Sequence, residues 1–242
     1  MALDANPLNV GALPAILAGP VLRRLTRTKV SVWVALTRGS DVSLAVRVAG
    51  QPITEIVSAP MTPVRVGTNL WFAVITADAP GGSFAAGLLY EYKLTSPGWP
   101  QPNWTDVAIG TAQPTFSGPP ATVADLKVFH TSCRKVHGGG RDGLALAADV
   151  ISSRITANTP NARPHLLVLA GDQIYADEVP APLVPRIRRI ATDLVGVDET
   201  GLFGPLPAIA GRQVPSESFG LTSSAASDHL WTLGEFLATY LL

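Results

Sequence analysis

Cysteine is almost missing from this 242-residue chain: Cys133 is the single one, so no internal disulfide and no extracellular staple framework can form. Whatever Cys133 does, it does as a thiol. Charge is sparse too, at 15% of residues against about 25% in ordinary soluble domains. It also cancels, with 18 Lys+Arg against 18 Asp+Glu, which argues against binding nucleic acid or an anionic membrane through bulk charge. Long apolar runs are lacking as well. The uncharged stretch from Ala5 to Leu22 is broken by Pro7, Gly11, Pro14, Gly19 and Pro20, which fits neither a secretory leader nor a membrane span. Arg23-Arg24 precedes only the short, strand-like run from Val30 to Leu36, so a twin-arginine signal is a poor reading. The expected location is cytoplasmic by default, with export left open.

What is abundant is apolar content, 47% of residues, which excludes disorder as a description of the whole chain. Gly 22 and Pro 21 supply punctuation suited to many short strands. Runs rich in β-formers occur at Val30 to Leu36, Ser43 to Val48, Leu70 to Thr76 and Leu89 to Thr95, each flanked by Gly, Pro, Asp or Asn. This pattern predicts an all-β unit, a sandwich of the fibronectin III or immunoglobulin kind, over residues 1–122. Tyr90 and Tyr92 fall on one face of their strand by the period of two. Trp99 and Trp104 lie in a proline-rich loop that reads as exposed, and Gln113 to Thr122, with Pro114, Pro119 and Pro120, reads as a linker.

Over residues 123–242 the grammar changes to α/β. Leu126 to Phe129 reads as a short buried strand, Asp142 to Thr156 as a helix, and His165 to Ala170 as a second apolar strand. Leu144, Ala148, Ile151 and Ile155 follow helical spacing and predict the face turned to the sheet. Two parallel strands joined by a helix bring their C-terminal ends to one edge, where open α/β sheets place ligands. The residues beyond those ends are therefore the ones to inspect. The first strand runs into His130-Thr131-Ser132-Cys133-Arg134-Lys135-Val136-His137 and three glycines, the second into Gly171-Asp172-Gln173-Ile174-Tyr175-Ala176-Asp177-Glu178. Thiolate, phenolate, carboxylate and imidazole can hold one or two metal ions, the first two favouring iron and the carboxylates favouring hard ions. Arg134 and Lys135 beside a metal suit an anionic substrate such as a phosphate ester.

Those residues carry a resemblance. Gly171-Asp172-Gln173-Ile174-Tyr175-Ala176-Asp177 after one apolar strand, with Ser132-Cys133-Arg134-Lys135 after another, resembles the alkaline phosphatase D (PhoD-like) family of metallophosphatases. Gly19-Pro20-Val21-Leu22-Arg23-Arg24 leading to Val32-Trp33-Val34 is similar to the start of that family's N-terminal β-sandwich. His229-Leu230-Trp231 through Glu235-Phe236 to Leu242 is similar to a helix of its catalytic domain. The resemblance implies an α+β, two-domain protein: a sandwich followed by the first part of a metallophosphoesterase-like domain. It implies hydrolysis of phosphate mono- or diesters with iron and calcium, Asp172 as a bridging ligand, and Cys133 and Tyr175 as iron ligands. Arg134 then assists phosphate binding, and His137 either contacts substrate or is an exposed loop residue.

The departures are equally specific. A dinuclear site of this kind needs a later Asn-His or Asp-His motif, yet no asparagine follows Asn161 and His229 is the only histidine after Asp172. Asp228-His229 follows no apolar strand; it reads as a loop ending in a Ser or Asp cap, with Leu230, Leu233, Leu237 and Leu241 as an apolar stripe. His130 and His165 read as strand-margin packing, Asp177 and Glu178 as residues favouring a helix after Pro182, and Arg186, Arg188 and Arg189 as solvated helix surface. The expectation is a front portion of the enzyme, weakly active or inactive without the later motifs. The rival expectation is a noncatalytic protein whose sandwich binds a partner through the Trp99 to Trp104 loop.

Overall fold

In the computed structural model the described residues are 9–99, 102–135, 138–196, 212, 218, 220, 223 and 226–241. Strands β1 (Ile16–Leu25), β2 (Lys29–Leu36), β3 (Ser43–Val48), β4 (Ile56–Val57), β5 (Val64–Arg65), β6 (Trp71–Asp78), β7 (Leu89–Thr95) and β8 (Thr115–Ser117) form two four-stranded antiparallel sheets. Their orders are β1-β2-β6-β5 and β4-β3-β7-β8. Alternation decides which side faces in. On β2, Val30, Val32, Val34 and Leu36 are fully buried, while Lys29 and Ser31 point away. Leu44, Val46, Tyr90, Tyr92 and Leu94 meet them from the opposite sheet in one core. Each such side chain removed from water contributes about 1.5–3 kcal/mol before entropy is subtracted, so among the described residues the sandwich holds the larger apolar core.

Three features here depart from the sequence reading. The segment Gln113 to Thr122 is no linker, because its residues 115–117 are strand β8, buried and paired with β7. Trp99 and Trp104 are core residues, 7% and 8% exposed; proline sets the path of that loop, but the indole rings follow their apolar area inward. Strand β1 is hidden in the sequence by its own Gly19-Pro20, which normally disqualifies a strand interior. It is tolerated on an edge strand whose register shifts around those residues. Gly19 has φ +89°, and a Cβ there would lie 2.9 Å from the Trp33 carbonyl oxygen, so only glycine fits.

The outer face of the first sheet is divided along its strands. At one end Ala35, Leu70 and Phe72 are covered by helix α2 (Val184–Ile190), the π-turn Ala191–Val195 and helix α3 (Leu233–Leu241), which form a second core with them. At the other end Ser31 bonds Thr76 and Lys29 pairs with Asp78 in solvent. The β5–β6 hairpin is stitched to the π-turn by Thr68 N–H to Val195 O and Asn69 N–H to Leu194 O, both 2.9 Å. Helix α3 starts with a reciprocal cap: Glu235 N–H donates to Thr232 Oγ1, while Glu235 Oε2 accepts from the Trp231 and Thr232 amides. The cap is therefore Thr232, not the earlier Ser or Asp. Its buried face is Gly234, Glu235 and Ala238, and Leu233 of the expected stripe is 63% exposed.

Strand β9 (Val128–Ser132), helix α1 (Gly143–Thr156) and strand β10 (Leu166–Ala170) make the predicted parallel unit, with Leu166 opposite Val128 and Ala170 opposite Ser132. Asp142 caps α1 by accepting from Leu144 N–H, and the half-buried side of α1 carries Leu144, Ala148, Ile151 and Ile155. The strands themselves are not buried. Val128, Leu166, Leu167, Val168 and Leu169 are 37–48% exposed, so both pleat faces of a sequence suited to full burial are half open among the described residues. The unit is anchored instead through its connector: Arg163, 9% exposed, donates to Thr115 Oγ1 and Thr115 O on β8. Among the described residues no helix is long and apolar enough to cross a membrane.

Candidate functional site

The parallel ladder of β9 and β10 runs past the formal strand ends. Cys133 N–H donates to Ala170 O and Arg134 N–H to Asp172 O, each at 2.8 Å. These bonds bring together the two loops that the sequence singled out. Cys133 adopts φ 57° and Gly171 φ 67°, both left-handed. A Cβ on residue 171 would stand 2.6 Å from Cys133 Sγ and 3.0 Å from Ser132 Oγ. Glycine at 171 thus serves the turn and makes room for the sulfur.

Around that sulfur the donors converge. Hydrogen bonds from the Ser132 and Tyr175 hydroxyls and from the Asp172 amide hold the Cys133 thiol below its ordinary pKa, against the Asp172 carboxylate, which pushes it up. The same bond to Cys133 pushes Tyr175 up, with the Asp172 and Glu178 carboxylates adding to it. Cys133, Asp172 and Tyr175 therefore share one exposed corner. Its donor set is thiol, carboxylate and phenol, side-chain types that can each ligate a metal ion. Among the described residues no three His, Cys, Asp or Glu side chains gather at any point, so the corner holds Cys133 and Asp172 of those types, with Tyr175 beside them.

The cations behave differently from expectation. Arg134 directs Nε and Nη2 to Asp142 Oδ2, at 3.2 and 2.9 Å, and with the Leu144 amide this holds the Asp142 carboxyl below its usual range. Lys135 pairs with Glu178 and lies 5.7 Å from the Tyr175 ring centre. Both side chains are engaged by carboxylates rather than held out for a phosphate. Arg134 accordingly ties the cap of α1 to the site loop. The Asp142 partner escapes sequence reasoning as a site element because it reads locally as a helix cap; the spacing of eight residues across a glycine loop carries no signal of contact.

Of the remaining residues, His137 lies outside those described. His130 is an exposed β9 residue, and His165 accepts the Lys127 amide on Nδ1, with burial pushing its pKa down. His229 Nδ1 is 2.5 Å from Leu230 O, inside its own turn. Asp177 accepts from Ser223 Oγ at 2.7 Å and Glu178 belongs to Lys135, so neither waits at a helix N-terminus. Arg188 and Arg189 reach Glu235 and Asp193 at 3.9 and 3.2 Å rather than solvent alone.

No family model and no curated protein matches this chain. Among solved structures, the sensor domain of the anti-sigma factor RsgI4 in Pseudobacteroides cellulosolvens is similar at 19% identity. That likeness covers 45% of this chain and 89% of the other, with a TM-score of 0.29. Among the described residues the fold is mostly antiparallel sheet in a β-sandwich arrangement, with few helices.

Proposed function

We propose that this chain is a metal-dependent phosphoester hydrolase of the PhoD-like kind, with its α/β catalytic part within residues 123–242. The carrying observation is the convergence of Cys133, Asp172 and Tyr175 at adjacent parallel strand ends. In this reading Cys133 and Tyr175 would hold iron, and Asp172 would be a further ligand of the metal site. A metal pair, when bound, lowers the pKa of water and stabilises the charge of the leaving oxygen. The chain's own residues prepare for it. The Ser132 hydroxyl and the Asp172 amide favour the thiolate form of Cys133, and the Arg134–Asp142 pair fixes the loop that carries the sulfur. The partner-binding alternative needs an exposed aromatic loop, and Trp99 and Trp104 are core residues.

Elemental analysis of the purified chain tests the proposal, alongside hydrolysis of p-nitrophenyl phosphate and bis-p-nitrophenyl phosphate. Stoichiometric iron, lost in Cys133→Ser and Asp172→Ala with the fold retained, is the expected result. Metal-free folded protein after reconstitution with iron and calcium overturns it.

A further inference from the structure

Beside Cys133 the loop after β9 folds over a polar cleft of about 110 Å³, lined by Cys133, Gly138, Gly139, Gly140, Arg141 and Gln173. Its charges can be counted. Arg134, Lys135 and Asp142 also face it, but Arg134 is neutralised by Asp142 and Lys135 by Glu178. Asp142 is further satisfied by the Leu144 amide, so the carboxylate of this lining is fully engaged. Arg141 makes no ion pair or hydrogen bond among the described residues, so it is the cation of this lining left without a carboxylate partner. The floor is bare: a Cβ on Gly139 or Gly140 would meet nothing within 4 Å. Such a volume takes a few waters or one small ion, not a sugar or a base. A planar guanidinium presents its donors in a fork that matches phosphate oxygens.

We infer that this cleft is an oxyanion subsite: Arg141 binds a phosphate group whose oxygens rest over Gly138–Gly140, beside Cys133. The inference deepens the phosphoester reading and rests on it for the substrate class, placing an unreacting phosphate oxygen or a second phosphate of the ester there. It gives Arg141 the role that sequence reasoning assigns to Arg134. Gln173, which donates to Ala170 O and Gly171 O at 3.1 and 3.3 Å, holds the wall opposite.

Titration of the full chain with inorganic phosphate, followed by calorimetry with and without chelator, tests this. Saturable binding is expected in both conditions, weakened at least about tenfold in Arg141→Gln, retained in Arg141→Lys, and unchanged in Arg154→Gln on the far helix surface. Gly139→Asp, which has room for its side chain, is expected to abolish binding by charge, while Gly139→Ala leaves it intact. Equal affinity of wild type and Arg141→Gln, absence of saturable binding, or loss of binding on chelation overturns the subsite. Wild-type protein that binds phosphate but takes up no metal after reconstitution sinks the hydrolase reading and leaves the subsite standing.

Discussion

Replacing Gly171 by alanine puts two costs on one position. The residue sits at φ 67°, where an L side chain costs about 1–2 kcal/mol. The added Cβ would also start 2.6 Å from Cys133 Sγ, so the sulfur must retreat by several tenths of an ångström before ordinary contact is restored. That retreat pulls it from the Tyr175 hydroxyl and the Asp172 amide, the groups that favour the thiolate. Two readouts follow. Local opening of the loop junction becomes easier by a factor of about 5–30, seen as faster hydrogen exchange at the Cys133 and Arg134 amides. The pH midpoint for alkylation of Cys133 rises toward that of a free thiol, near about 8.5. Gly139→Ala, which meets nothing within 4 Å and has no positive φ, is the matched control. If Gly171→Ala exchanges and alkylates like the wild type, the close approach of the two strand ends is wrong.

Tyr175→Phe removes a donor to the thiolate without touching Asp172, so the alkylation midpoint of Cys133 rises and its rate near neutral pH falls; an unchanged midpoint refutes the bond. Arg212, fully buried, pairs with Glu235 at 2.8 Å, and Arg212→Leu is expected to cost about 3–5 kcal/mol in urea unfolding, with partial recovery in Arg212→Leu/Glu235→Leu. Burial pushes the Glu235 carboxyl up, but Arg212 and the Trp231 and Thr232 amides outweigh it and hold the pKa below 4.5. A depressed folded value means its stabilisation is complete above about pH 4.5 and is lost as pH falls through the folded value, and Glu235→Gln flattens that acid limb. Leu36→Ala in the sandwich core costs about 2–5 kcal/mol, whereas Leu167→Ala on the half-open strand, 46% exposed, costs well under half of that by the same unfolding measurement.

Local pattern by itself determines much about this chain. Alternation and turn residues locate β2, β3, β6 and β7 to within two residues, and helical spacing locates α1 and its half-buried side. The two strand-end motifs are legible because parallel topology sends C-terminal ends to one edge, whatever surrounds them. Long-range placement is not legible. Whether Trp99 lines a loop or fills a core depends on a second sheet lying over it. Whether Arg134 faces a ligand or Asp142 depends on how a glycine loop folds back. The apolar run Leu166 to Leu169 encodes the capacity to be covered on both faces, and only packing with other elements decides how much of it is. Burial and pairing are properties of distant neighbours, and a one-dimensional pattern records a residue's preference for them but not their positions.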